Sequence, residues 1–152
     1  MIRQGNLTVK ETWKIGIVTA RFNPQITEAL EVGCYQRLTE LGVNPEHIVR
    51  VRVPGAVEIP LAASLLFKRE ADAVIALGAV IQGDTKHFDY VCNSVERGCT
   101  QVMLDTKKPV VFGVLTTDNE EQAFERIGGS HGHKGRDAAD VAVEMLSLAE
   151  MI

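Results

Sequence analysis

Apolar residues along this chain fall into two alternating patterns. Residues 14–20 (KIGIVTA), 72–81 (DAVIALGAVI) and 109–115 (PVVFGVL) are short, almost unbroken apolar runs, and residues 48–53 (IVRVRV) alternate. Runs of this length bounded by turn residues read as β-strands. Between them the apolar positions are spaced three and four apart. Ile26, Leu30, Cys34, Leu38 and Leu41 form one such series, Ala62, Leu65 and Leu66 a second, and Phe88, Val91, Cys92, Val95, Cys99, Val102 and Met103 a third. That spacing places each series on one face of a helix. Local punctuation agrees: Asn23 can cap the first helix, Pro24 suits its first turn and Gly42 its stop. Asp84 or Thr85 is placed to cap the long third helix. Asp118 with Glu121 resembles a capping box opening a short helix that stops at Gly128 and Gly129, and a final helix is expected from about Lys134.

Strands alternating with helices, with the strands apolar almost throughout, imply a parallel sheet covered on both faces. The expected fold is α/β: a flavodoxin-like three-layer α/β/α sandwich around a four-stranded parallel sheet. With 152 residues and 45% hydrophobic content there is material for one core and no linker or repeat to divide it, so residues 1–152 read as a single domain. The stretch Gln4 to Val9 has strand character but no partner within the unit, and it could add to the sheet of a neighbouring subunit.

Charge and cysteine usage narrow the partners. A net charge of −4 argues against a general affinity for nucleic acid, so any anion site must be local. No apolar run approaches the roughly 20 residues that span a bilayer, and the opening MIRQGNLTVKETWK lacks the apolar core of a secretory signal, which makes a cytoplasmic protein the expectation. Cys34, Cys92 and Cys99 lack CxxC spacing and sit among apolar neighbours, as reduced packing residues do.

In an open parallel sheet the ligand crevice lies beyond the carboxyl ends of the strands. Those ends carry Arg-Phe-Asn (21–23), Pro-Gly-Ala-Val-Glu (54–58), Gln-Gly-Asp-Thr-Lys-His (82–87) and Thr-Thr-Asp-Asn (116–119). Gly83 allows close backbone approach, and the amides of Asp84 and Thr85 at a helix start favour a phosphate, although an ordinary capped helix start would look the same. Lys86, Arg126, His131, His133, Lys134 and Arg136 form a local cationic set. His87, in the first helical turn, stands where a general acid or base would act on whatever carries that phosphate; a surface or core histidine is the plainer alternative. Phe22 and Phe112 lie at strand ends and could cover a planar heterocycle or plug the core. Phe88, Tyr90 and Val91 read as core. Glu58 either accepts hydrogen bonds from hydroxyls or complements a helix dipole. His131-Gly-His133 lacks further ligands at any familiar spacing, so no metal site and no cofactor is expected.

Five ordered blocks carry a resemblance: RFN at 21–23, PGAVEIP at 54–60, GAVIQGDTKHFDYV at 78–91, FGVLTTDNEEQAFER at 112–126 and GHKG at 132–135. Together they resemble the 6,7-dimethyl-8-ribityllumazine synthase family. The resemblance implies an enzyme of riboflavin biosynthesis that condenses 5-amino-6-ribitylaminouracil with 3,4-dihydroxy-2-butanone 4-phosphate. It implies that Phe22 stacks on the pyrimidine, with Asn23 beside it, and that Ala56, Val57, Glu58, Ala79, Val80 and Ile81 hold the ring and ribityl chain. Gly83, Asp84 and Thr85 would cradle the phosphate, His87 would move protons, and Arg126 would clamp the phosphate. Phe112, Arg126 and Lys134 would come from an adjacent subunit. The family forms pentamers that stay free, pair or build an icosahedral shell, which can enclose a partner such as riboflavin synthase; the uninserted loop before the last helix and the proline-free N-terminal strand are similar to shell-forming members. A non-catalytic flavin or lumazine binder, or a shell protein of the same fold, is the alternative. Two departures stand out. Valine occupies position 57 where an aromatic is common, which widens the wall beside the ring, and GGSHGHKG replaces the more usual GTKAGNKG, bringing in His131 and His133 to reinforce the anionic side of the site or a subunit contact.

Overall fold

The computed structural model describes all 152 residues. In chain order it contains β1 (Ile15–Ala20), α1 (Pro24–Leu41), β2 (Ile48–Val53), α2 (Ile59–Lys68), β3 (Ala73–Ile81), α3 (His87–Thr106), β4 (Val110–Thr117), α4 (Glu120–Phe124), β5 (Ile127–Gly129), β6 (Gly132–His133) and α5 (Lys134–Met151). Strands β1 to β4 form one parallel sheet in the order β2-β1-β3-β4. This is the flavodoxin-like arrangement the apolar runs led us to expect, and its strand order reverses between β1 and β3. No helix is long and apolar enough to cross a membrane.

Each face of the sheet buries one helical layer because successive strand side chains point to opposite sides. Ile15 and Ile17 face α1 and α5, joining Leu30, Leu38, Ala139 and Val143; Val18 and Ala20 face α2 and α3, joining Ile59, Ala63, Val95 and Cys99. All three cysteines are free. Burial pushes the Cys34 thiol up to about 12, with the Glu31 carboxylate adding to the effect, and burial likewise pushes Cys99 up to about 11, so neither is a thiolate near neutrality. The α1–α5 contact is close enough that a methyl group on Gly135 would overlap the carbonyl oxygen of Leu30. Outside it runs a chain of charges in which Arg136 meets Glu40, and Arg37 meets both Glu40 and Asp140.

A charged group sits inside the first layer. The Glu31 carboxylate on α1 is almost fully buried, and it accepts from Arg52 Nη2 at 2.7 Å and from Thr19 Oγ1 at 3.2 Å. Glu31 thereby ties α1 to the carboxyl-terminal halves of β1 and β2.

As its lack of a partner within the unit implies, Gln4 to Val9 forms no strand in the single chain; it lies along α5, where the Asn6 N–H donates to Ser147 Oγ at 3.1 Å. Several local expectations need correction. Asn23 adopts a left-handed conformation (φ 59°) and makes no cap bond, because its amide is spent elsewhere. Neither Asp84 nor Thr85 occupies the cap of α3, which begins at His87, although Thr85 Oγ1 accepts from the His87 N–H at 3.3 Å. The cap of α4 is Asn119, one residue later than expected, its side chain accepting from the Gln122 N–H at 2.9 Å. Gly128 and Gly129 belong to the β5–β6 hairpin, which hydrophobic spacing did not reveal.

Candidate active site

At the β1/β3 reversal the carboxyl ends of the strands open into a cleft of about 480 Å³. Its floor is the end of β3 and the turn after β2: Ala79 and Ala56 are small and buried, which leaves room above them. Phe22 stands at the rim and is 73% exposed, so it is not a core plug. What orients this rim is Asn23, whose Nδ2 donates to the Ala79 carbonyl at 2.9 Å and pins the loop after β1 to the end of β3. Asparagine tolerates the left-handed backbone that this reach demands. Across the cleft, Glu58 Oε1 accepts from the Gly55 N–H at 3.0 Å, which shapes the loop after β2 while the side chain still lines the cavity. Val57 is half-exposed beside it.

The far end of the cleft is polar. Gly83, Thr85 and His87 line it, and the main-chain N–H groups of residues 83–86 have no partner within the chain. Free N–H groups ahead of a 20-residue helix favour an anion through both hydrogen bonding and the helix dipole. Asp84 is not part of the cleft's lining, although its N–H is among those without a partner. His87, the first residue of α3, is exposed to the cavity within the same turn. Phe88 and Val91, read as core, line the cleft as well, and Tyr90, also read as core, is 73% exposed on the outside. One α3 face thus serves the cavity, which the apolar spacing alone could not separate from burial.

Phe112, Arg126 and Lys134 lie elsewhere. They line a second groove, of about 370 Å³, between the outer edge of β4 and the start of α5. Arg126 is held there by Nη1 donating to the Gln122 carbonyl at 2.8 Å, and Phe112 is substantially exposed. Asp137, one helical turn beyond Lys134, shares the groove; sequence spacing could have found it, since residues three apart share a helical face.

The remaining cationic residues do not converge. Arg136 is engaged by Glu40 through Nη2 at 2.6 Å. His133 is not part of either cavity's lining: its ring turns inward to α1, and Nδ1 accepts from the Arg136 N–H at 3.2 Å as the cap of α5. His131 stands near Glu125 at 3.6 Å. Nowhere do three His, Cys, Asp or Glu side chains gather as a metal site would require.

An apolar cleft ending in an anion-favouring helix start with an exposed imidazole is the arrangement of an α/β enzyme site able to take a planar ring beside an anion. Comparison with known proteins is specific. Residues 12–150 match the family model described as 6,7-dimethyl-8-ribityllumazine synthase. Proteins of that name are similar over most of their length: one from Bdellovibrio bacteriovorus is 54% identical across 91% of this chain and 76% of its own. One from Coxiella burnetii is 52% identical across 94% and 95%, and one from Cytophaga hutchinsonii 53% identical across 87% and 84%. The chain belongs to the 6,7-dimethyl-8-ribityllumazine synthase family.

Proposed function

We propose that this protein is a transferase condensing 5-amino-6-ribitylaminouracil with 3,4-dihydroxy-2-butanone 4-phosphate to 6,7-dimethyl-8-ribityllumazine, the penultimate step of riboflavin biosynthesis. The observation that carries the reading is the pairing of an apolar, ring-sized cleft with unpartnered N–H groups and His87 at one end. In this reading Phe22 stacks on the pyrimidine, and Ala56, Val57, Glu58, Ala79, Val80 and Ile81 hold the ring and ribityl chain. The N–H groups of Gly83, Asp84 and Thr85 receive the phosphate.

The chemistry asks little beyond placement and proton movement. The 5-amino group attacks the ketone and water leaves, giving an imine. Loss of a proton from carbon then drives out phosphate, and the ribitylamino nitrogen closes the second ring with loss of a second water. His87 stands where a proton must go to and fro next to the departing phosphate, a contribution of about 10²–10⁴-fold when well placed. Holding the two reactants together supplies the rest.

Arg126 and Lys134 do not reach the first cleft within one chain, so the complete site calls for a second copy whose β4-edge groove faces it. The resemblance makes that copy part of a homopentamer, each subunit lending Phe112, Arg126 and Lys134 to its neighbour, and the pentamers part of an icosahedral shell, with residues 4–9 leaving α5 to extend a neighbour's sheet. Buried neutral thiols suit a reducing cytoplasm. Mixing the purified protein with both substrates is expected to give fluorescent lumazine, and neither substrate alone should do so. Arg126→Ala should raise KM for the butanone phosphate by about tenfold or more, as loss of a bidentate charge-assisted contact implies. A protein inert toward both substrates would refute the assignment.

A further inference from the structure

The two cationic residues of the second groove are separated in sequence by the β5–β6 hairpin and joined in space by it. Arg126 immediately precedes β5, Lys134 opens α5, and the Lys134 N–H donates to the Arg126 carbonyl at 2.8 Å. His133, the last residue of β6, pairs with Ile127 across this hairpin. Its imidazole, together with Ile127 packed against the core, attaches the hairpin to the rest of the molecule. Nδ1 accepts from the Arg136 N–H at 3.2 Å, and the ring lies against α1 so closely that a methyl group on Gly33 would overlap it. An accepting Nδ1 describes a neutral imidazole protonated on Nε2.

We propose that His133 is a positioning residue whose neutral ring locks the hairpin onto α1 and so aligns Arg126 with Lys134, and that a second proton on this ring unlocks the anion-holding groove. That proton could only occupy Nδ1, where it would face the Arg136 N–H, converting an accepted bond into a donor–donor clash and deleting the cap of α5. The groups around the ring are Arg136 and Asp137 on α5, the main chain at Ala29 and Gly33 on α1, and Gly128 in β5. Burial first, and the Arg136 guanidinium second, hold this imidazole below the ordinary 6.5, with the main chain at His133 itself and the Asp137 carboxylate opposing. Because the folded value is depressed, the lock is intact above 6.5 and its stability is lost progressively as pH falls from there through the lower folded value. His131, exposed and outside this contact, plays no part.

The inference rests on the second groove being the phosphate clamp, and the test separates the two. KM for the butanone phosphate and kcat are measured on the assembled protein from pH 5 to 8 for wild type, His133→Asn and His133→Ala. Asparagine caps a helix without titrating, so His133→Asn should recover the neutral-pH KM that His133→Ala raises by roughly fivefold, the scale of one lost cap. On the acid side wild-type KM should rise toward that of His133→Ala while His133→Asn does not, and kcat should change little in either. Titration of the substrate phosphate is common to all three and cancels in their ratios. Hydrogen exchange across residues 126–136 should show the same acid loss of protection in wild type alone. Superimposable pH profiles for wild type and His133→Asn, or acid loosening of the hairpin with unchanged KM, would overturn the inference while leaving the enzyme intact. A wild type that makes no lumazine would instead overturn the functional reading, and the exchange measurement would still decide whether His133 is a pH-dependent lock.

Discussion

Glu31 is a carboxylate taken out of water, and three donor groups on Arg52 and Thr19 offset that cost. Removing the pairing group is worse than removing the pair. Arg52→Met should therefore lower Tm by several degrees, whereas Glu31→Leu in the Arg52→Met background should regain most of the loss; thermal unfolding of the three variants checks this. Thr27 Oγ1, by contrast, is buried without any partner, and nothing in the structure explains it. Val57 bears on binding rather than folding. It is half-exposed on the cleft wall, so Val57→Phe should add ring–ring contact with the pyrimidine and lower its KM by roughly threefold to tenfold, with KM for the phosphate substrate unmoved. Most cleft residues were legible because they follow strand ends, and strand ends were legible as apolar runs. Asn23 shows the limit: its identity suits a helix cap, and only the tertiary distance to the Ala79 carbonyl decides that it binds there.

Among the elements, periodicity resolved the four sheet strands and the long helices, since each buries a continuous face. The β5–β6 hairpin escaped because GGSHGHKG offers no alternation; beyond Ile127, which packs against the core, its residues are held by His133 and by main-chain bonds. The cap of α4 shifted from Asp118 to Asn119 for a comparable reason, both residues being good caps and only the chain's exit from β4 selecting between them. The α1–α5 contact yields a prediction of its own sign. Glycine in an exposed helix usually gains about 1 kcal/mol on replacement by alanine. At Gly135 the new methyl would instead strike the Leu30 carbonyl, so Gly135→Ala should destabilise by about 2 kcal/mol. A Tm drop of roughly 4–8 °C is expected for a chain of this size. An unchanged or higher Tm would mean that the helices separate without cost.

At the scale of the molecule, the sheet order and layering followed from sequence pattern, but the division of the cationic and aromatic residues between two cavities did not. Spacing along a chain cannot tell whether Arg126 and His87 meet within one copy or across two; the resemblance suggested the latter, and the groove positions accord with it. A protein so divided should behave as a set of interchangeable halves. Subunits disabled at His87 still carry a sound Arg126, and subunits disabled at Arg126 still carry a sound His87. Unfolding the two inactive variants together and reassembling them in equal amounts should revive activity, with about one quarter of the junctions bringing two undamaged halves together. Genetic dominance would take an unusual form in consequence: two broken alleles of this one protein could sustain a cell that neither supports alone.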